Sequence, residues 1–169
     1  MTHFLSSGRV GELLDINNRQ LTALYPHIPH LHIGRERRAT RLFPEMYVHD
    51  LVEYIQKRQQ HHVEERLSII VRAFWVTDKA GQLAKDAHTE LKTALASRNR
   101  HTPDELATIL NVTSMTIGNW SKGTNKLFTP VRTSKSPIAV GRKDVPQSDF
   151  VYIQTVEIFR AIAWSMPRR

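Results

Sequence analysis

The chain repeats one spacing of apolar residues after 96 positions, without a gap. In each copy the spacing predicts a helix, a polar corner and a shorter second helix. Two such helices bury their apolar faces against each other, which leaves the outer face of the second helix exposed. The repeat therefore restricts the fold to two related helical modules. The matched positions are Val10, Leu13, Leu14, Ile16, Leu21 and Leu24 in the first copy and Leu106, Ile109, Leu110, Val112, Ile117 and Trp120 in the second.

A β-hairpin is expected after the first helix pair. Pro26 and Pro29 stop the second helix, because proline cannot continue a helical ladder. Residues 31–33 and 40–44 then alternate around a short polar stretch that contains glycine, which is typical of two strands joined by a turn. Residues 45–58 return to helical spacing.

This order of helix pair, hairpin and helix resembles the winged helix-turn-helix domains of the MerR and excisionase-like group of DNA-binding proteins. The residues that carry the resemblance are 10–16 and the hairpin tip at 33–38, in a module of about one third of the chain. At the corner, Asp15-Ile16-Asn17 replaces the Gly-Val-Ser type of turn that is commonest in the group. The resemblance implies a second helix in the major groove and a hairpin, or wing, on the DNA backbone.

The second copy predicts the same elements in the same order. Thr102 caps its first helix, Pro103 fits the first helical position and Glu105 completes a capping box. Thr113 caps a second helix that reaches Ser121. Each of these residues marks a helix boundary independently of the apolar spacing.

The wing of the second copy is expected to be longer. Strands are predicted at 127–128, 138–140 and 150–153, with a loop rich in Pro and Ser between them. A closing helix is predicted over 155–164. The positions expected to face its core are Val156, Phe159, Ile162 and Ala163.

Two amphipathic helices are predicted between the modules. Their apolar stripes are Val63, Leu67, Ile70, Val71 and Phe74, then Leu83, Ala87, Leu91, Ala94 and Leu95. The stripes can pack on each other or on a second chain, so a homodimer through these central helices is one expectation. The predicted domains are a winged module at 1–58, a helical connector or dimerisation segment at 59–100 and a second winged module at 101–169. The predicted fold class is mainly α with small β-hairpin wings.

Composition favours a nucleic-acid partner. The chain has 24 Lys and Arg against 16 Asp and Glu, a formal charge of +8, and a basic surface attracts polyanions. The absence of cysteine excludes disulfides and thiolate metal sites. No apolar run reaches the length of a membrane span, and the N-terminus lacks a signal-peptide core. We therefore expect a cytoplasmic, nucleoid-associated protein with no membrane partner.

Base reading is assigned to the exposed faces of the two second helices. Arginine pairs with guanine, and glutamine or asparagine with adenine, through two hydrogen bonds each. Arg19 and Gln20 are therefore the leading candidates, and Asn18 and Thr22 share their face. The candidates on the second copy, where the face has no cation before Lys122, are Ser114, Thr116 and Asn119.

Phosphate contacts are assigned to basic residues outside these helices. The first wing supplies four arginines that are expected to contact the DNA backbone or an adjacent minor groove: Arg35, Arg37, Arg38 and Arg41. The second copy supplies six cations between residues 121 and 143 with no acid among them: Lys122, Lys126, Arg132, Lys135, Arg142 and Lys143.

No catalytic residue, cofactor, metal site or small-molecule ligand is expected. His27, His30 and His32 are close in sequence, but a metal site needs fixed geometry and further ligands. No nucleophile arrangement, phosphate-binding glycine loop or paired-carboxylate motif occurs.

Two functions of different classes remain. The first is a sequence-specific double-stranded DNA-binding protein without catalytic activity, acting as a regulator, an excisionase-like architectural factor, or a partition or packaging protein of a mobile element. The second is a protein-assembly adaptor that uses its helix-turn-helix folds and central helices for protein contacts.

Overall fold

The computed structural model describes residues 3–34, 39–123, 126–132 and 151–168. These residues form a mainly helical chain with small antiparallel sheets, as the sequence predicts. The elements up to residue 96 are β1 (Phe4–Ser6), α1 (Ser7–Leu14), α2 (Asn18–Leu24), a 3-10 turn (Tyr25–His27), β2 (His30–Ile33), β3 (Thr40–Pro44), α3 (Glu45–His61), α4 (Leu67–Trp75) and α5 (Asp78–Ala96). The later elements are β4 (Arg100–His101), α6 (Pro103–Leu110), α7 (Ser114–Trp120), β5 (Val131–Arg132), β6 (Val151–Gln154), α8 (Thr155–Ala161) and β7 (Ile162–Ser165).

The chain divides into two compact units. The first unit comprises Met1–Lys92 with Ile162–Arg169, and the second comprises Thr93–Ala161. These bounds differ from the predicted boundaries after residues 58 and 100. The difference arises because α4 and the start of α5 bury their apolar sides in the same core as α1, α2 and α3. The predicted connector is therefore largely part of the first unit.

The sheet of the first unit has the order β1-β3-β2-β7. The expected hairpin is present, with Leu31 opposite Leu42 and Ile33 opposite Thr40 in antiparallel register. Its fourth strand was not expected, because the predicted closing helix continued to Trp164. The helix instead ends at Ala161, and β7 pairs with β2 along its whole length. Backbone pairing with a distant strand overrides the local helical spacing there.

The second unit repeats the helix pair of the first and the strands around it. The bounds of α6 and α7 are those of α1 and α2 moved by 96 residues, as the sequence predicts. The residue after the first helix has φ 55° in both copies, at Asp15 and at Asn111. The strand order β4-β6-β5 also reproduces β1-β3-β2. The internal duplication thus extends beyond the helix pairs to the strands.

Two expectations about apolar faces are wrong. On α8, Val156 and Phe159 are 59% and 42% exposed, and the buried apolar residue is Ile158. The expected core positions Ile162 and Ala163 lie in β7 and not in a helix. Val63 is 82% exposed because it precedes α4 and belongs to no helix.

Among the described residues, no helix combines the length and apolarity needed to cross a bilayer.

Gly11 is buried where α1 turns toward α2, and its replacement by alanine is expected to stabilise the protein. A Cβ there would lie 3.2 Å from the Ile16 carbonyl oxygen. The second copy has Ala107 at this place, and its turn keeps the same 3.0 Å hydrogen bond from the N–H of Val112. Because the turn tolerates a Cβ, Gly11→Ala should raise the free energy of unfolding by about 0.5–1 kcal/mol, as helix propensity favours.

Urea denaturation of the full chain measures this effect. Gly11→Val serves as the contrasting variant, since its branched side chain must displace the Ile16 carbonyl or Leu21. A lower stability for Gly11→Ala would show that the first turn is less adaptable than the second.

Candidate nucleic-acid interface

The turn between α1 and α2 fixes how α2 is presented. The N–H of Ile16 donates to the Gly11 carbonyl at 3.0 Å, and the N–H of Asp15 donates to the Glu12 carbonyl at 3.2 Å. Leu21 is fully buried in the core with Val10. The opposite face of α2 is therefore turned outward.

The base-reading residues predicted for the first copy are all exposed on α2. Asn18, Arg19, Gln20 and Thr22 are exposed, as expected from the spacing. Arg19 makes no hydrogen bond or ion pair with any residue that the structure describes, so its five N–H donors are available. The hydroxyl of Thr22 donates to the Asn18 carbonyl at 2.7 Å.

Gln20 has a structural role that sequence reasoning did not assign. Its Oε1 accepts from the N–H of Asn17 at 3.0 Å, and its own N–H donates to Oδ1 of Asn17 at 2.9 Å. This is a reciprocal capping box at the start of α2. The signal was present in the sequence, because an Asn followed three residues later by Gln has the capping-box spacing. The side-chain NH2 of Gln20 is not used by the cap.

The candidates on α7 are less available. Ser114 is exposed, but its hydroxyl donates to Oδ1 of Asp104 at 2.7 Å. The hydroxyl of Thr116 shares a hydrogen bond with that of Thr113 at 2.9 Å. Asn119 is exposed, and so is Lys122 after the helix.

The basic wing residues are described only in part. Arg35, Arg37 and Arg38 lie outside the described residues, and so do Lys135, Arg142 and Lys143. Lys126 is exposed, and Arg132 belongs to strand β5. The wing assignments therefore remain predictions.

Arg41 lies at the base of the first wing and contacts the end of α2. Its guanidinium is 4.5 Å from the centre of the Tyr25 ring. Tyr25 is the C-cap of α2 and also lies 5.6 Å from the ring of Phe43. This cluster connects the second helix to the hairpin through aromatic packing. The side chain of Arg41 is half-buried.

His30 packs in the same cluster and is kept neutral. Burial lowers its pKa, a hydrogen bond to the Ile28 carbonyl opposes that shift, and the charges of Arg41 and His32 lower the pKa further. Nδ1 lies 2.8 Å from the Ile28 carbonyl oxygen, so this nitrogen carries the proton that is donated. The three closely spaced histidines thus include one that packs in the core.

The described residues contain no group of three or more His, Asp or Glu side chains arranged to hold a metal ion. No family model, curated protein or solved structure matches this chain. What the helix pairs bind therefore has to be inferred from their own side chains.

Proposed function

We propose that this chain is a sequence-specific double-stranded DNA-binding protein without catalytic activity, built from two winged helix-turn-helix modules of the MerR and excisionase-like type. The observation that carries the proposal is the repeated helix pair whose second helix presents an outer polar face next to a β-hairpin. The formal charge of +8 supports a polyanionic partner. Nucleoid association would follow from such binding.

In this proposal α2 enters the major groove. Helix-turn-helix proteins contact base edges with the N-terminal residues of the second helix, and Asn18, Arg19 and Gln20 occupy those positions. Arg19 would read guanine through two hydrogen bonds, and the NH2 group of Gln20 would meet an acceptor on a neighbouring base. The wing arginines would hold the phosphate backbone.

Arg19→Ala is expected to weaken binding to a selected duplex by about 1–3 kcal/mol and to affect a random duplex much less. The selected duplex comes from repeated enrichment of random sequences on the wild-type protein. Lys85→Ala is the matched control, because it removes one exposed cation from α5. Equal losses on both duplexes would make Arg19 a phosphate contact and would remove the base-reading assignment.

Gln20 needs a substitution that separates its two roles. Gln20→Glu keeps an oxygen for the capping box and removes the NH2 donor, whereas Gln20→Ala removes both. Melting should leave Gln20→Glu near the wild type, while its affinity falls more on the selected duplex than on a random duplex, because the added negative charge weakens binding to both.

A protein-assembly adaptor is the second candidate, and exposed apolar side chains favour it. Met115 is 76% exposed on α7 and follows Ser114, whose hydroxyl donates to the carboxylate of Asp104. An adaptor would show only weak attraction to duplex DNA that does not depend on sequence. A homodimer through the central helices would have to use the exposed Ile69 and Val76, since Phe74 is buried in the first unit.

A further inference from the structure

The two helix pairs differ in charge at the start of their first helices. The N-cap hydroxyl accepts from the N–H of Arg9 at 3.3 Å in α1 and from the N–H of Glu105 at 3.1 Å in α6. Gly8 and Asp104, one residue earlier, are therefore equivalent as well. A neutral and a basic residue in the first copy thus correspond to two acids in the second.

The charge difference extends over each helix pair. Residues 6–25 contain two arginines and two acids, whereas residues 102–121 contain two acids and no cation. Glu105 is partly neutralised by Arg98, whose Nη1 lies 2.8 Å from its carboxylate. Asp104 meets the neutral hydroxyl of Ser114, so its negative charge stays uncompensated by that contact.

Asp104 lies where a DNA backbone would pass. The first helix of such a pair crosses the backbone, and its N-terminus is the end that attracts phosphate. In the second copy this end already carries a carboxylate. The bond to Ser114, the first residue of α7, also places that carboxylate beside the helix that would enter the groove.

We propose that base reading is confined to α2 and that Asp104 keeps α7 away from duplex DNA. This inference rests on the proposed function, since it divides the DNA contacts between the two copies. It makes Asp104 a residue that lowers the affinity of the second copy for any duplex through repulsion. The hydroxyl pairs at Ser114 and Thr116 reinforce the effect, because both groups have partners within the protein.

A reciprocal exchange of charge tests this role. Asp104→Asn keeps an oxygen for Ser114 and removes the charge. Gly8→Asp places a carboxylate at the matching position of α1, where a new Cβ meets no atom within 4 Å. Gly8→Asn is the neutral control for the second variant. All variants are made in the full chain and checked by thermal melting.

Affinity is measured on the selected duplex and on a random duplex between about 50 and 200 mM salt. Asp104→Asn should bind both duplexes about fivefold more tightly. This factor corresponds to the repulsion energy of two like charges about 4 Å apart in water. Gly8→Asp should weaken binding by at least a similar factor, while Gly8→Asn stays near the wild type.

Unchanged or weaker binding by Asp104→Asn would overturn the inference, and so would equal affinities of Gly8→Asp and Gly8→Asn. In the first case the α6–α7 face belongs to another partner, as the adaptor function requires. The proposed function is judged separately, on the wild type. If the wild type binds no duplex in a salt-dependent way, the DNA-binding proposal fails and this inference fails with it.

Discussion

A fragment that ends at Arg58 is expected to be unfolded, although it contains the first helix pair, the hairpin and most of α3. Its core would lack the contributions of α4 and α5, which include Ile70, Val71, Phe74 and Trp75. Burial of a large apolar side chain contributes about 1.5–3 kcal/mol, so these residues together supply roughly 6–12 kcal/mol. The whole stability of a domain is about 5–15 kcal/mol.

Ending the chain at Arg58 would also remove the carboxylate to which this arginine binds. Its Nε and Nη2 bind the carboxylate of Glu65 at 2.8 and 3.0 Å, and Nη1 donates to the hydroxyl of Tyr54 at 3.2 Å. In the fragment, Tyr47 would lose its contact with the ring of Phe74, which packs edge-on against it at 5.1 Å. The exposed apolar side of α3 would then face water.

Far-ultraviolet circular dichroism and hydrogen exchange of the fragment measure this expectation against the full chain. We expect little helical signal, no cooperative melting and no protected amides in β2 or β3. Cooperative unfolding with protected strands would instead show that residues 1–58 form an independent module, as the sequence alone suggests.

The sequence predicted the local elements well. Apolar spacing and capping residues placed α1, α2, α6 and α7 to within a few residues, because helix starts and stops depend on nearby side chains. The hairpin strands followed from alternation and from the prolines before them. These signals are all local.

Features that depend on distant contacts were missed. Residues 162–165 have no local sequence feature that indicates pairing with β2, which lies more than 100 residues earlier. The membership of α4 and α5 in the first core was missed because an apolar stripe does not reveal its partner. The same holds for the site: exposure of Arg19 was predictable from spacing, whereas the contacts of Arg41 with Tyr25 and of Asp104 with Ser114 required the fold.

Strand β7 is expected to contribute strongly to the stability of the first unit. Removal of residues 162–169 is expected to destabilise the first unit by about 3–5 kcal/mol, because it removes both the partly buried Trp164 and the strand that pairs with β2. Trp164 packs against the core of this unit and stacks on His88, with ring centres 4.9 Å apart and planes 3° from parallel. The deletion also removes one of the two strands that pair with β2, and leaves its pairing with β3.

Two substitutions separate these contributions. Trp164→Ala keeps the strand and removes the stack, so it should lose only the packing part. Trp164→Phe keeps an aromatic ring and removes an indole N–H that is buried without a partner among the described residues, so its loss should be smaller. Removal of residues 168 and 169 alone is the control, because Arg168 is exposed and lies beyond β7.

The deletion should also change how the protein associates. Without β7, the backbone donors and acceptors of β2 that face this strand are left open, and an open apolar edge pairs with other strands. We expect light scattering coupled to gel filtration to show dimers or larger species for the deletion and a smaller effect for Trp164→Ala. We also expect hydrogen exchange of β2 amides to accelerate only in the deletion. If the deletion melts like the full chain and β2 stays protected, β7 is an accessory strand and the core of residues 1–92 is sufficient for the first unit.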